Sequence, residues 1–130
     1  MVATTPRVYH QQMVHFLRKS ITFADDGTAV AVGSIPAGSL VHKPMSGVHV
    51  TTAFNAGTNN FLDVGPTTND DLWGTDLSLV TTTFVPLDEA VGTYLCTVDT
   101  DIIATVDLTG TAATAGAAEV VICYIPDTDG

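Results

Sequence analysis

Residues 48–54 read Val48-His49-Val50-Thr51-Thr52-Ala53-Phe54. Val48, Val50, Thr52 and Phe54 fall on one side of an extended chain, and His49, Thr51 and Ala53 fall on the other. Successive side chains of a strand point to opposite faces, so this period of two predicts a half-buried β-strand. Residues 102–108 repeat the pattern, with Ile102, Ala104, Val106 and Leu108 facing one way and Ile103, Thr105 and Asp107 the other. Ala117–Ile125 is apolar on both sides apart from Glu119, which predicts a central strand covered on both faces.

Working outward from these stretches, residues 14–23 read as a first strand, ended by the turn signal Asp25-Asp26-Gly27. Residues 28–35 alternate again, Pro36-Ala37-Gly38 turns the chain, and 39–43 is a short strand broken at Pro44. Residues 55–60 form an Asn- and Gly-rich loop, and 61–64 resume as a strand. Residues 65–76 are a long polar excursion, in which Thr68 or Asn69 could cap a short helical turn with Asp70 and Asp71 in its first turn. Residues 77–85 read as extended up to Pro86, 91–98 as a further strand, and 110–116 as a loop of small residues. About eight short strands, with turn signals roughly every ten residues, are the pattern of an all-β sandwich or barrel. Residues 1–13 have no clear period and are expected to be an N-terminal arm, leaving 14–130 as a single domain.

Composition agrees. There are 21 Thr against 5 Ser, and the Glu and Lys that coat helix surfaces are nearly missing. Hydrophobic residues make up 45% and charged residues 14%, which excludes a disordered chain. No apolar run reaches the roughly 18 residues of a membrane span. Residues 1–7 lack the hydrophobic stretch of a signal peptide, so synthesis in a cytoplasm is expected. Cys96 and Cys123 lie in apolar, strand-like runs without metal-ligand spacing, and are expected to be reduced, buried thiols.

The charges are unevenly placed. Arg7, Arg18, Lys19 and Lys43 are the four cations, and residues 44–130 carry twelve acidic groups and none of them. The formal net charge is −10. An acidic body of this kind disfavours nucleic acid or an anionic membrane as partner. The basic beginning and the acidic remainder are expected to face different surroundings.

No catalytic set is present in the order of residues. Asp99 and Asp101 would share a strand face if extended and could serve as an acid/base pair or a metal site, but they also fit a turn. Asp107-Leu108-Thr109-Gly110 has the wrong spacing for an aspartic-protease loop. Residues 69–74 lack the alternating ligands of a calcium loop. His10, His15, His42 and His49 form no HxH or HExxH pattern, so they are read as polar contact residues. No serine lies on a strained elbow beside a base, and neither cysteine has a cation near it in the chain. Trp73 stands in the longest polar loop, either as an anchor tucked onto the sheet or as an interface residue.

Four segments, FLRKSITFADDG (16–27), VAVGSIPAGSLV (30–41), VHVTTAFNAGTNNFLDVGPTTNDD (48–71) and GTAATAGAAEVVICYIP (110–126), together resemble the capsid cement, or decoration, proteins of tailed bacteriophages. The resemblance spans about residues 14–126 and is carried most by 53–65 and by Ala118-Glu119-Val120-Val121. It implies a jelly-roll β-sandwich, trimers seated where major capsid proteins meet, and an N-terminal extension touching the shell. It implies no catalytic residue, cofactor or metal.

The expected function is therefore structural: a protein of the virion exterior that clamps neighbouring major capsid proteins. Arg7, Tyr9, His10, Arg18, Lys19 and Trp73 are the expected contacts to capsid or subunit, inferred from charge and position. The alternative is a carbohydrate- or receptor-binding module of a phage fibre, with Trp73, Tyr94 and Tyr124 stacking on sugars. An enzyme of cupin or esterase type lacks a ligand or nucleophile set.

Overall fold

A computed structural model of the chain describes residues 14–89 and 94–126. The 1–13 arm, the beginning of the expected 91–98 strand and the acidic tail after Pro126 lie outside the described residues. The regular structure within it is almost entirely strand, in two antiparallel sheets. The first sheet has the order β1 (His15–Thr22), β9 (Ala117–Ile125), β4 (Gly47–Thr52), β7 (Phe84–Pro86), with β3 (Leu40–Val41) pairing beyond β4 on β9. The second has the order β2 (Ala29–Ile35), β8 (Thr100–Thr109), β5 (Asn59–Pro66), β6 (Gly74–Ser78). The pairings are nested: β5 with β6, then β4 with β7, β2 with β8 and β1 with β9. Such nesting results when a two-stranded ribbon, closed at its β5–β6 end, rolls across both sheets.

Alternation builds the core. Val48, Val50, Val120 and Ile122 from the first sheet, and Leu62, Ile102 and Val106 from the second, are each at most 1% exposed and belong to one cluster. Burying each such side chain stabilises by about 1.5–3 kcal/mol, which is why the period-two stretches fix the sandwich. At one side the sandwich is closed by Leu17 of β1 lying on Gly33 of β2, where a Cβ would come within 2.9 Å of the leucine methyl. A bulge between Ala31 and Gly33 lets β2 bend toward that contact.

β9 is central, as its composition predicts. Its hydrogen bonds run to β1 on one side and to β4 and β3 on the other. Between the last β4 pair and the first β3 pair, Cys123 would be left without a ladder partner on that side. Ser46 fills the break: its hydroxyl accepts from the Cys123 N–H at 2.9 Å and donates to the His42 carbonyl at 2.8 Å. The expected cover on both faces of β9 is only half there. Val120, Ile122 and Tyr124 face the core, whereas on the outer side Ile125 is 41% exposed and Glu119 and Val121 are half-buried.

Three further expectations are corrected. Residues 77–85 are not one strand: β6 ends at Ser78 in the second sheet, and β7 begins at Phe84 in the first. Leu79, fully buried, plugs the core between them, and its backbone bonds to Asn60 and Phe54 hold the crossing in place. Residues 94–98 form a single bridge from Leu95 to Leu40 rather than a strand, because they pair irregularly with the 38–41 turn. No helical turn forms in 65–76. Two successive turns, Asn69 N–H to Pro66 and Leu72 N–H to Asn69, curl the loop so that Trp73 enters the core. The short helical turns lie elsewhere, at Phe23–Asp25 and Lys43–Met45. The first is held by a capping box: the Thr22 hydroxyl accepts from Ala24 N–H, and the Asp25 carboxylate accepts from Thr22 N–H.

Candidate interaction face

The outer faces of the two sheets differ in kind. Cross-strand register assigns each residue to a face, because directly opposed residues point the same way. On the first sheet, Phe16 opposes Cys123, Arg18 opposes Val121, and Ser20 opposes Glu119. Beyond them His49 opposes Glu119 and Phe84, and Leu40 opposes Ile125. The core residues Val120, Ile122 and Val48 occupy the other face, so this whole set points outward.

Phe16, Leu40, Phe84 and Ile125 are 52%, 45%, 40% and 41% exposed. Met45, in the turn before β4, is also exposed. None of the exposed large hydrophobic residues lies on a strand of the second sheet. The strands of the first sheet carry Arg18 and Lys19 against one acid, Glu119; those of the second carry Asp63, Asp76, Asp101 and Asp107 and no cation. The outer face of the first sheet is therefore apolar with its one acid paired to Arg18, while the outer face of the second sheet is acidic. Lys19 lies opposite the core residue Val120 and so points the other way from the edge strand.

Arg18 does not stand free on this face. Its guanidinium pairs with the Glu119 carboxylate across the β1–β9 ladder. That hydrogen bond, and then the carboxylate's charge, raise the arginine's pKa further. Lys19 is exposed at the β1 edge, and Lys43 lies in the turn between β3 and β4. Of the other sequence-derived contact residues, Arg7, Tyr9 and His10 lie outside the described residues.

Trp73 is settled by its burial. It is 3% exposed and packs on Tyr94 with ring centroids 5.9 Å apart, so it is the loop anchor and offers almost no surface to a partner. Tyr124, 9% exposed, faces the core. The stacking platform that a glycan would need is thus taken up by internal packing. A cleft of about 340 Å³ lies over Leu72, Trp73, Cys96 and Val98, with Asp99 and Asp101 at its side. Asp99 Oδ1 already accepts the Ala37 N–H at 2.9 Å, the turn role that its spacing allows.

Both cysteines are free and buried, and burial pushes both thiols above their ordinary pKa, away from the reactive thiolate. Among the described residues no three His, Cys, Asp or Glu side chains are placed to hold a metal ion. Asp63 is the most perturbed carboxyl: burial raises its pKa, the Asp76 N–H bond lowers it, and Asp76, Asp70 and Asp71 raise it again. It sits where β5 slips register against β6, and Asp76 there adopts a positive φ of 53°.

Sequence reasoning placed Arg18 and Lys19 on a contact surface from charge alone but missed Phe16, Leu40, Phe84 and Ile125. The apolar outer side of β9 is the signal the sequence offers, and in the sequence it predicts cover by another layer.

No protein-family model and no curated protein matches the chain. Among solved structures, the chain is similar to one described as the cyanophage Pam1 capsid asymmetric unit, with a TM-score of 0.65 and 16% sequence identity. The likeness covers 89% of this chain and 86% of that one, and at this identity it shows a shared fold.

Proposed function

We propose that the chain is a structural protein of a phage virion that decorates the capsid exterior and stabilises it by clamping neighbouring major capsid proteins. The observation that carries this reading is the likeness, over nearly the whole of both chains, to a chain from a phage capsid asymmetric unit. The nested strand pairing has the order that a jelly roll requires, and supports that finer description of the sandwich. The two unlike faces fit a layer with one side toward a shell and one toward solvent. Clamping requires area and complementarity rather than chemistry, in keeping with free, buried thiols and carboxylates engaged in turns.

On this reading residues 1–13, with Arg7, Tyr9 and His10, form an arm that adds contacts to the shell, and the chain acts as a trimer. The test is co-sedimentation of the purified chain with undecorated capsids, followed by heating of the particles. Saturable binding that raises the temperature of capsid disruption is expected. A chain that stays in the supernatant at every ratio would defeat the proposal.

A further inference from the structure

We infer that the outer face of the β1-β9-β4-β7 sheet is the surface that seats on the shell, and that its partner is a repeating protein surface, apolar at the contact and acidic beside it. This rests on the decoration reading above and adds to it which face is used and what chemistry it meets.

Four exposed large side chains, Phe16, Leu40, Phe84 and Ile125, lie on strands of this sheet, and none lies on the other. Exposed apolar area gathered on one face marks an interaction site. The one acid among its strands, Glu119, is neutralised by Arg18, so no lone carboxylate has to be desolvated on contact. Lys43, in the turn between β3 and β4, flanks the face and would meet an acidic group on the partner. The opposite face, with Asp63, Asp101 and Asp107, would repel the same partner.

Size decides between a lone partner and an array. Strands of eight, nine, six and three residues (β1, β9, β4 and β7), at about 3.3 Å per residue and about 4.8 Å between strands, give a face of about 400 Å². A stable one-to-one interface buries about 800 Å² on each partner. One such face alone is therefore too small for a stable face-to-face pair of copies. Several copies held together and docked on a repeating surface gain by multivalency what each lacks. A closed ring of copies joins two different patches of each chain, which leaves a third face free to point in a common direction.

The experiment is co-sedimentation with undecorated capsids of the parent, Phe16→Ser, Phe84→Ser, Asp101→Asn and Asp107→Asn, with thermal melting and sedimentation velocity of each free protein. All four positions are exposed, so all four variants should fold. Loss of at least about tenfold in apparent affinity is expected for the two Phe variants, and no more than about twofold for the two Asp variants. Phe variants that melt like the parent and bind like it would overturn the inference while leaving decoration intact. So would Phe variants that lose the parent's oligomeric mass, since the face would then join copies to each other. A parent that fails to bind would instead remove the decoration reading, and this inference with it.

Discussion

Ser39 and Ser46 are both fully buried, yet removing their hydroxyls should have opposite effects. Ser46 Oγ accepts from Cys123 N–H at 2.9 Å, donates to His42 O at 2.8 Å, and lies 3.3 Å from Cys123 O. Ser46→Ala leaves the Cys123 N–H without a partner beside a residue that is 1% exposed. An unsatisfied buried donor costs about 1–3 kcal/mol. For a domain of this size, that lowers Tm by roughly 4–12 °C. Ser39 Oγ has no hydrogen-bond partner at all. Its burial is already a cost, so Ser39→Ala should be neutral or stabilising by up to about 1 kcal/mol. Urea titration of the two variants beside the parent gives the comparison, with a shifted midpoint at constant m-value as the sign of a pure stability change. The Ser46 loss should also loosen β9 near Cys123, next to Phe16 and Ile125 on the outer face, so binding to capsids should weaken with stability. Equal midpoints for Ser46→Ala and the parent would refute the view that this hydroxyl completes the β9 ladder.

Three other outcomes follow from the packing and charge. Asp63→Asn keeps an oxygen for the Asp76 N–H, which now bonds Asp63 Oδ1 at 2.9 Å, but removes the titration. Because burial and neighbouring acids raise the folded pKa of Asp63, its favourable contribution is full only below the unfolded value of 3.8 and is lost as pH rises through the folded one. The variant should therefore melt higher than the parent at pH 7, with the difference closing near pH 3.5; a lower melting point at pH 7 would contradict this. Trp73→Ala should cost about 3–5 kcal/mol by urea titration, whereas Trp73→Phe should fold and bind capsids like the parent. Poor binding by a stable Trp73→Phe variant would return Trp73 to the interface. A Cys96→Ala, Cys123→Ala double variant, and chelator treatment of the parent, should leave capsid binding unchanged; loss under chelation alone would point to the acidic loop around Asp70, Asp71 and Asp76.

The alternation at 102–108 and the apolar run at 117–125 form β8 and β9 where expected, and the alternation at 48–54 forms β4, which stops at Thr52 after a register slip that turns Thr52 out to solvent. Other segments were misread where tertiary contacts overrode local pattern. Residues 77–85 contain no Gly or Pro to signal that Leu79 leaves one sheet for the other. The loop at 65–76 has good helix-start residues, but turning Trp73 into the core stabilises more than a cap does. The site was legible in part. The charge split in the sequence becomes a split between sheets, with Arg18 and Lys19 on β1 and four aspartates on the strands of the other sheet. An exposed Phe16 and a half-buried Leu17 that packs on the core are alike as letters, and only the register with Cys123 and Ile122 tells them apart.

The most direct test of the central claim is quantitative mass spectrometry of purified virions, measuring copies of this chain per copy of the major capsid protein. The decoration reading predicts a fixed, high ratio set by lattice positions, reproducible between preparations. A ratio near that of a tail-tip protein, or absence of the chain from particles, would contradict it.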